Sequence, residues 1–192
     1  MTRTGIYGGS FNPIHTAHIS LARSLISQGL LDELWFVVSP QNPFKQTATD
    51  LLPDDVRLHL TRLAVADEPR MAVSDVEMHL PRPSYMANTL ATLREEHPDR
   101  RFILVIGADN WLAFEKWYHW QEILSRHPLI VYPRPGYPID RATLPAGVTL
   151  AETPLIDISG TDIRRKLHTS TYLGEGLKPS VWEEIKRKGY YK

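Results

Sequence analysis

Short apolar runs alternate with amphipathic stretches along this chain. Thr4–Tyr7 forms a brief extended run that ends on a glycine pair. From Ala17 to Gln28, Ile19, Ala22, Leu25 and Ile26 recur at the helical period, and Gly29 stops the pattern. Leu34–Val38 (LWFVV) and Phe102–Ile106 (FILVI) are continuous apolar runs, too short and too β-branched for helices. They predict strands buried on both faces. Leu129–Tyr132 reads the same way, and Met71–Ser74 as a shorter strand. Ser39–Leu52 is rich in proline and asparagine and reads as a mobile loop, and Arg134–Gly147 as a second loop. A helix opens at Pro53, with Asp54 and Asp55 placed where the helix dipole favours negative charge. Ser84–Glu96 is helical with Ser84 as its N-cap. Trp111–Arg126 holds one or two helices, and Gly160–His168 and Ser180–Lys188 are short terminal ones.

This order predicts βαβ units and a parallel sheet covered on both faces. Right-handed crossovers make it a Rossmann-like doubly wound α/β fold with a short C-terminal helical part, one domain over residues 1–192. Ligands in such sheets lie at the carboxyl ends of the strands. The loops after Tyr7, Val38 and Ile106 should therefore face one crevice.

Composition narrows the class. The 192 residues include no cysteine, which excludes a disulfide framework, a cysteine zinc site, an iron–sulfur cluster and a cysteine nucleophile. Twenty-two acidic and twenty-two basic side chains balance, which argues against a nucleic-acid backbone or an anionic membrane as partner. No apolar run approaches a membrane span, and the N-terminus has no signal-peptide core, so cytoplasmic residence is expected.

The chemistry is concentrated in Gly8-Gly9-Ser10-Phe11-Asn12-Pro13-Ile14-His15-Thr16-Ala17-His18. This is neither a dinucleotide fingerprint nor a Walker A loop. It still follows a strand and opens a helix, where glycines admit a ligand to the backbone and free N–H groups attract an anion. A glycine pair alone would be an ordinary turn. His15 and His18, three apart on one face of the helix near its positive end, change that reading. Charged histidine opposes the dipole there, so the pair implies a different role, that of donating to phosphate oxygens as charge develops. Metal ligation by the pair is the lesser reading, and no metal site is expected.

This segment resembles the signature of the nucleotidyltransferase superfamily that contains the phosphopantetheine and nicotinate mononucleotide adenylyltransferases. The superfamily's second signature is matched by Ile158-Ser159-Gly160-Thr161-Asp162-Ile163-Arg164, in the same chain order. Three further segments resemble the bacterial nicotinate-nucleotide adenylyltransferases: Ser84-Tyr85-Met86-Ala87-Asn88-Thr89-Leu90, Gly107-Ala108-Asp109, and the aromatic pair Trp117-Tyr118. The resemblance implies ATP contacts at Gly8, Gly9, Ser10, Phe11, His15, His18, Ile158, Ser159, Thr161 and Arg164, with both histidines catalytic. It implies nicotinate mononucleotide contacts at Ser84, Tyr85, Thr89, Gly107, Asp109, Trp117 and Tyr118. Lys45, on a loop, could swing onto phosphate, and Arg134 could reach the nicotinate carboxylate.

Neighbours on a helix point about 100° apart, so Trp117 and Tyr118 cannot both enter one core. Trp117 is assigned to a pyridine ring, and Trp111 and Trp120 to the core. Ala17 stands where the family usually has glycine, Asn12 where aspartate is frequent, and Gly160 where serine is frequent.

The implied reaction joins ATP and nicotinate mononucleotide into deamido-NAD and pyrophosphate, with Mg²⁺ carried by the ATP phosphates and no general base. Nicotinamide mononucleotide or phosphopantetheine as acceptor is the alternative, and a non-catalytic nucleotide-binding regulator is another. A homo-oligomer is compatible with the sequence.

Overall fold

A computed structural model describes residues 1–40, 50–154 and 158–191. Lys45, assigned to phosphate from the sequence, lies outside the described residues, as does most of the loop that carries it. The elements run β1 (Thr2–Gly9), α1 (Thr16–Ser27), β2 (Glu33–Val38), α2 (Asp54–Val65), β3 (Met71–Ser74), α3 (Met86–Glu96), β4 (Arg100–Gly107), α4 (Ala108–Leu112), α5 (Trp120–Arg126), β5 (Leu129–Tyr132), β6 (Val148–Leu150), α6 (Gly160–Leu167) and α7 (Pro179–Lys188). The strands form one sheet in the order β3-β2-β1-β4-β5-β6, and every neighbouring pair is parallel. This is the doubly wound order, with its switch point between β1 and β4. No helix among the described residues is long and apolar enough to cross a membrane.

Period-two alternation divides the strand residues between two cores. Tyr7, Phe36, Ile103, Val105 and Ile130 face one side, with Ile19 and Leu25 of α1, Leu60 of α2 and Val181 and Ile185 of α7. Ile6, Val37, Leu104, Ile106 and Val131 face the other, with Leu90 and Leu93 of α3, Phe114 of the turn before α5, and Ile123 of α5. Continuous apolar runs are what a sheet covered on both faces requires.

Several boundaries differ from the sequence reading. Ser84 is not the cap of the third helix. The helix starts at Met86 with Tyr85 in the capping position, and no side chain caps it. Trp111–Arg126 is interrupted: a 3₁₀ turn covers Phe114–Lys116, Trp117 is extended, and His119 takes the left-handed conformation (φ 55°) before α5 begins. Strand β6 has no counterpart in the sequence pattern. Three residues on a sheet edge, paired only to β5, are too few to show a period.

Candidate active site

The loops after β1, β2, β4 and β5 do converge. They line one cleft of about 1070 Å³ at the carboxyl ends of the strands, closed at one side by the start of α6.

The β1–α1 loop forms its floor. Phe11 holds a left-handed backbone (φ 45°), unusual for a bulky residue, and its ring packs between Tyr7, Phe36 and His18. A Cβ on Gly9 would stand 2.9 Å from that ring, and one on Gly8 would stand 2.7 Å from Met86 Cε. The two glycines thus let the loop lie flat against its neighbours.

His15 is the N-cap residue of α1, and His18 is the third residue inside the helix. His15 stands just outside the helix rather than within it, but the two side chains do come together at its start, as the spacing implies. Their rings stack, with centroids 3.7 Å apart. The backbone N–H of His15 donates to His18 Nδ1 at 3.2 Å. That bond fixes the tautomer: Nδ1 is the acceptor, so the proton of the neutral ring is on Nε2. Among the described residues, His15 Nδ1 is buried without a hydrogen-bond partner. Burial, reinforced by Arg134, lowers the pKa of His15 to about 4, and burial, His15 and Arg134 hold His18 well below the usual range. Two neutral imidazoles thus occupy the positive end of α1, and the conflict with the dipole expected from the sequence does not arise.

Arg164 enters from α6. Its Nη1 donates to the carbonyl of Asn12 at 2.7 Å, its Nε to Asp50 Oδ2 at 2.7 Å, and Nη2 lies 3.4 Å from Thr161 Oγ1. Ser159 caps α6, with its Oγ accepting from the Asp162 N–H at 3.1 Å and donating to Asp162 Oδ2 at 2.7 Å. Ile158 lines the cleft beside them. A Cβ on Gly160 would sit 3.1 Å from the Asn12 carbonyl oxygen. The absence of a side chain there is therefore a close approach of helix to loop as well as a missing hydroxyl.

The opposite wall carries Gly107, Asp109, Tyr132 and Arg134. A Cβ at Gly107 would meet Asp109 Oδ1 at 2.5 Å and Arg134 Cδ at 2.7 Å. Among the described residues, Asp109 Oδ1 is buried without a hydrogen-bond partner, though Arg134 Nε stands 3.5 Å away. The hydroxyls of Tyr7 and Tyr132 meet at 3.1 Å. The charge of Arg134 also disfavours the charged forms of both histidines.

Aromatic residues make the far end. Tyr85 and Tyr118 stand 4.7 Å apart, and Tyr118 also lies on His119 at 3.9 Å. Trp117 packs on Phe114 at 5.3 Å while lining the cleft. Its freedom to do both comes from the break before α5, not from a helical turn. Trp111 and Trp120 pack on Phe114, in keeping with the sequence reading. Ser84 lines the cleft. Thr89 does not: it is fully buried, and its hydroxyl donates to Glu77 Oε1 at 2.8 Å. The expected direct contact of Thr89 with a ligand gives way to a place behind the wall.

Sequence reasoning misses Arg57. It reads as a solvated helix residue, yet its side chain is fully buried. Its guanidinium donates to the carbonyls of Ser10, Ser39 and Leu52 at 2.5, 2.9 and 2.9 Å and to Asp54 at 2.6 Å, tying the glycine loop to the end of β2. Asn12 is a second junction. Its Oδ1 accepts from the Leu52 N–H at 3.2 Å and from Tyr191 Oη at 2.7 Å, and its Nδ2 donates to the Asp50 carbonyl at 2.9 Å. Among the described residues, no group of three or more His, Asp or Glu side chains is placed to hold a metal ion.

Residues 6–166 match the family model described as Cytidylyltransferase-like. A Bacteroides fragilis protein named "Probable nicotinate-nucleotide adenylyltransferase" is 48% identical over 184 residues, 96% of this chain and 91% of that protein. A Porphyromonas gingivalis protein of the same name is 42% identical over 91% of this chain and 87% of its own length. The fold matches that of Plasmodium falciparum nicotinic acid mononucleotide adenylyltransferase complexed with NaAD, with a TM-score of 0.83 and 20% identity over 100% of this chain and 98% of that one.

Proposed function

The chain belongs to the nicotinate-nucleotide adenylyltransferase family, within the cytidylyltransferase-like proteins, and from that membership we propose how its cleft transfers the adenylyl group of ATP to nicotinate mononucleotide. The products are nicotinate adenine dinucleotide and pyrophosphate, and the reaction belongs to NAD biosynthesis. The observation that carries the assignment of roles is the stacked pair His15–His18 at the start of α1, with Arg164 bonded to the Asn12 carbonyl of the loop before it and lining the same cleft.

The attacking atom is a phosphate oxygen of the mononucleotide. A phosphate monoester has its second pKa near about 6, so it is largely dianionic at neutral pH and needs no general base. It attacks the α-phosphorus of ATP, the bond to the bridging oxygen breaks, and pyrophosphate departs in line. The protein's part is to bring two anions together and to meet the charge that builds on the leaving group. His18, its proton held on Nε2, donates to that charge. His15, Gly8, Gly9, Ser10 and Phe11 shape the floor for the triphosphate, and Ser159, Thr161 and Arg164 bound its other side. Arg164 already holds an anion, the Asp50 carboxylate, in a geometry a phosphate can replace.

The mononucleotide takes the other half, with its ring against Trp117 and Tyr118, its ribose toward Asp109 and Gly107, and Ser84 and Tyr85 beside it. An anionic substituent on the ring is favoured by the first turn of α3, which carries no acidic residue. Arg134 is the candidate cation for the nicotinate carboxylate, and Lys45 for phosphate. Mg²⁺ enters as part of the substrate MgATP, held mainly by phosphates and water. Both substrates are small and water-soluble, which suits a cytoplasmic enzyme of one domain.

The test is incubation of the purified protein with MgATP and nicotinate mononucleotide, with products separated by mass. Nicotinate adenine dinucleotide and pyrophosphate in equal amounts support the reading. ATP hydrolysis without the dinucleotide contradicts it.

A further inference from the structure

The chain returns to its own glycine loop from the far end of the sequence. Helix α7 closes on Gly189, and two residues later Tyr191 takes a left-handed backbone (φ 64°) that a bulky side chain seldom adopts. Such a conformation persists where the surroundings fix it. Here the ring packs against the core face shared by α1, α2 and α7, and the hydroxyl donates to Asn12 Oδ1 at 2.7 Å, across 179 positions of sequence. Burial pushes the pKa of that hydroxyl up, against the opposing charges of Arg164 and Arg57, so it remains a donor at neutral pH.

The partners of Asn12 leave its amide one orientation. It meets the Leu52 N–H, which can only donate, and the Asp50 carbonyl, which can only accept. Oδ1 must therefore face Leu52 and Tyr191, and Nδ2 must face Asp50. With this buried side chain held from three directions, the direction of the residue's own carbonyl follows. That carbonyl accepts Arg164 Nη1 at 2.7 Å and so occupies one corner of the guanidinium. The opposite edge, Nε and Nη2, closes on Asp50 Oδ2 at 2.7 and 2.6 Å. A guanidinium is a rigid planar fork, so fixing one nitrogen sets where its free edge points.

We propose that Tyr191 is a positioning residue for adenylyl transfer: its hydroxyl orients Asn12, and Asn12 aims the Nε and Nη2 edge of Arg164 at the triphosphate. This role rests on the adenylyl-transfer reading and extends it to a residue that does not line the cleft and acts through Asn12, which does. Without the hydroxyl, Asn12 Oδ1 keeps only the longer bond from Leu52, at 3.2 Å, and the Arg164 fork loses its fixed bearing.

The experiment uses Tyr191→Phe, which removes one oxygen and keeps the ring in its packing. The KM for MgATP is expected to rise about fivefold or more, the scale of one hydrogen bond, while the KM for nicotinate mononucleotide stays within about twofold. Arg164→Lys keeps the charge and loses the fork, so there is no edge left to aim. Adding Tyr191→Phe to Arg164→Lys is then expected to change the KM for MgATP by less than about twofold, whereas independent packing effects would add in full. Circular dichroism verifies that each variant is folded. An unchanged KM for MgATP in Tyr191→Phe, an equal rise for both substrates, or a full effect on top of Arg164→Lys overturns the role. Calorimetric titration with MgATP separates it from the reaction itself. Binding weakened by Tyr191→Phe only when Arg164 is present, in a protein that forms no dinucleotide, faults the reaction and keeps the role of Tyr191. Dinucleotide formation with MgATP affinity indifferent to Tyr191 faults the role and keeps the reaction.

Discussion

Arg164 donates to the backbone carbonyl of Asn12 at 2.7 Å, across 152 positions of sequence. The bond joins the two motifs of this chain at one point. It brings the start of α6 onto the glycine loop, and Gly160 lies against the same carbonyl because no side chain intervenes. Phosphate contacts from both ends of the chain can then act on one triphosphate.

His18 is placed to stabilise charge as it forms, with its tautomer fixed by the His15 N–H. His18→Ala is expected to lower kcat by on the order of 10²-fold or more while leaving the fold intact. Steady-state kinetics with circular dichroism checks this. Near-normal kcat in a folded variant would remove His18 from the chemistry.

Trp117 faces the cleft from an extended segment rather than from a helix. Trp117→Ala is expected to raise the KM for nicotinate mononucleotide by about tenfold, the worth of one ring-stacking contact, with the KM for ATP little changed. An equal rise for both substrates would make Trp117 a packing residue.

How much of the molecule is legible in its sequence depends on how far each signal extends along the chain. Leu34–Val38 and Phe102–Ile106 announce the central strands because residues buried on both faces must all be apolar. Val148–Leu150 cannot, being three residues on an edge. The histidine pair is visible as a pair. Its stacking is not, since that depends on His15 standing outside the helix as its cap. The helical period misplaces Trp117 and Tyr118 because a 3₁₀ turn at Phe114–Lys116, the extended Trp117 and the left-handed His119 interrupt it. Arg57 is invisible because a charged side chain in a helical stretch reads as solvated until the partners that bury it are known.

Arg57 supplies those partners. Arg57→Leu leaves the carbonyls of Ser10, Ser39 and Leu52 without their donor and removes one of the two arginines paired with Asp54, Arg82 being the other. Loss of about 3 kcal/mol or more of stability is expected, measured as a lower urea midpoint. Because Ser10 and Ser39 line the cleft, kcat/KM should fall as well. An unchanged midpoint would show that the network contributes nothing to stability.

The pH dependence has a definite sign. The pKa of His15 falls from 6.5 in the unfolded chain to about 4 in the folded one. Between these values the unfolded chain binds more protons, so stability rises with pH across that window and is lost as pH falls through it. The contribution is about 3 kcal/mol at most. Denaturation midpoints from pH 7 to 4 should therefore fall more steeply for wild type than for His15→Asn. Parallel curves would mean that His15 is not held neutral by the fold.

The most direct measurement is the rate of pyrophosphate release with MgATP and each of three acceptors: nicotinate mononucleotide, its amide and phosphopantetheine. The account predicts fastest release with the acid. Faster release with either other acceptor, or none with any of the three while ATP still binds, would contradict it.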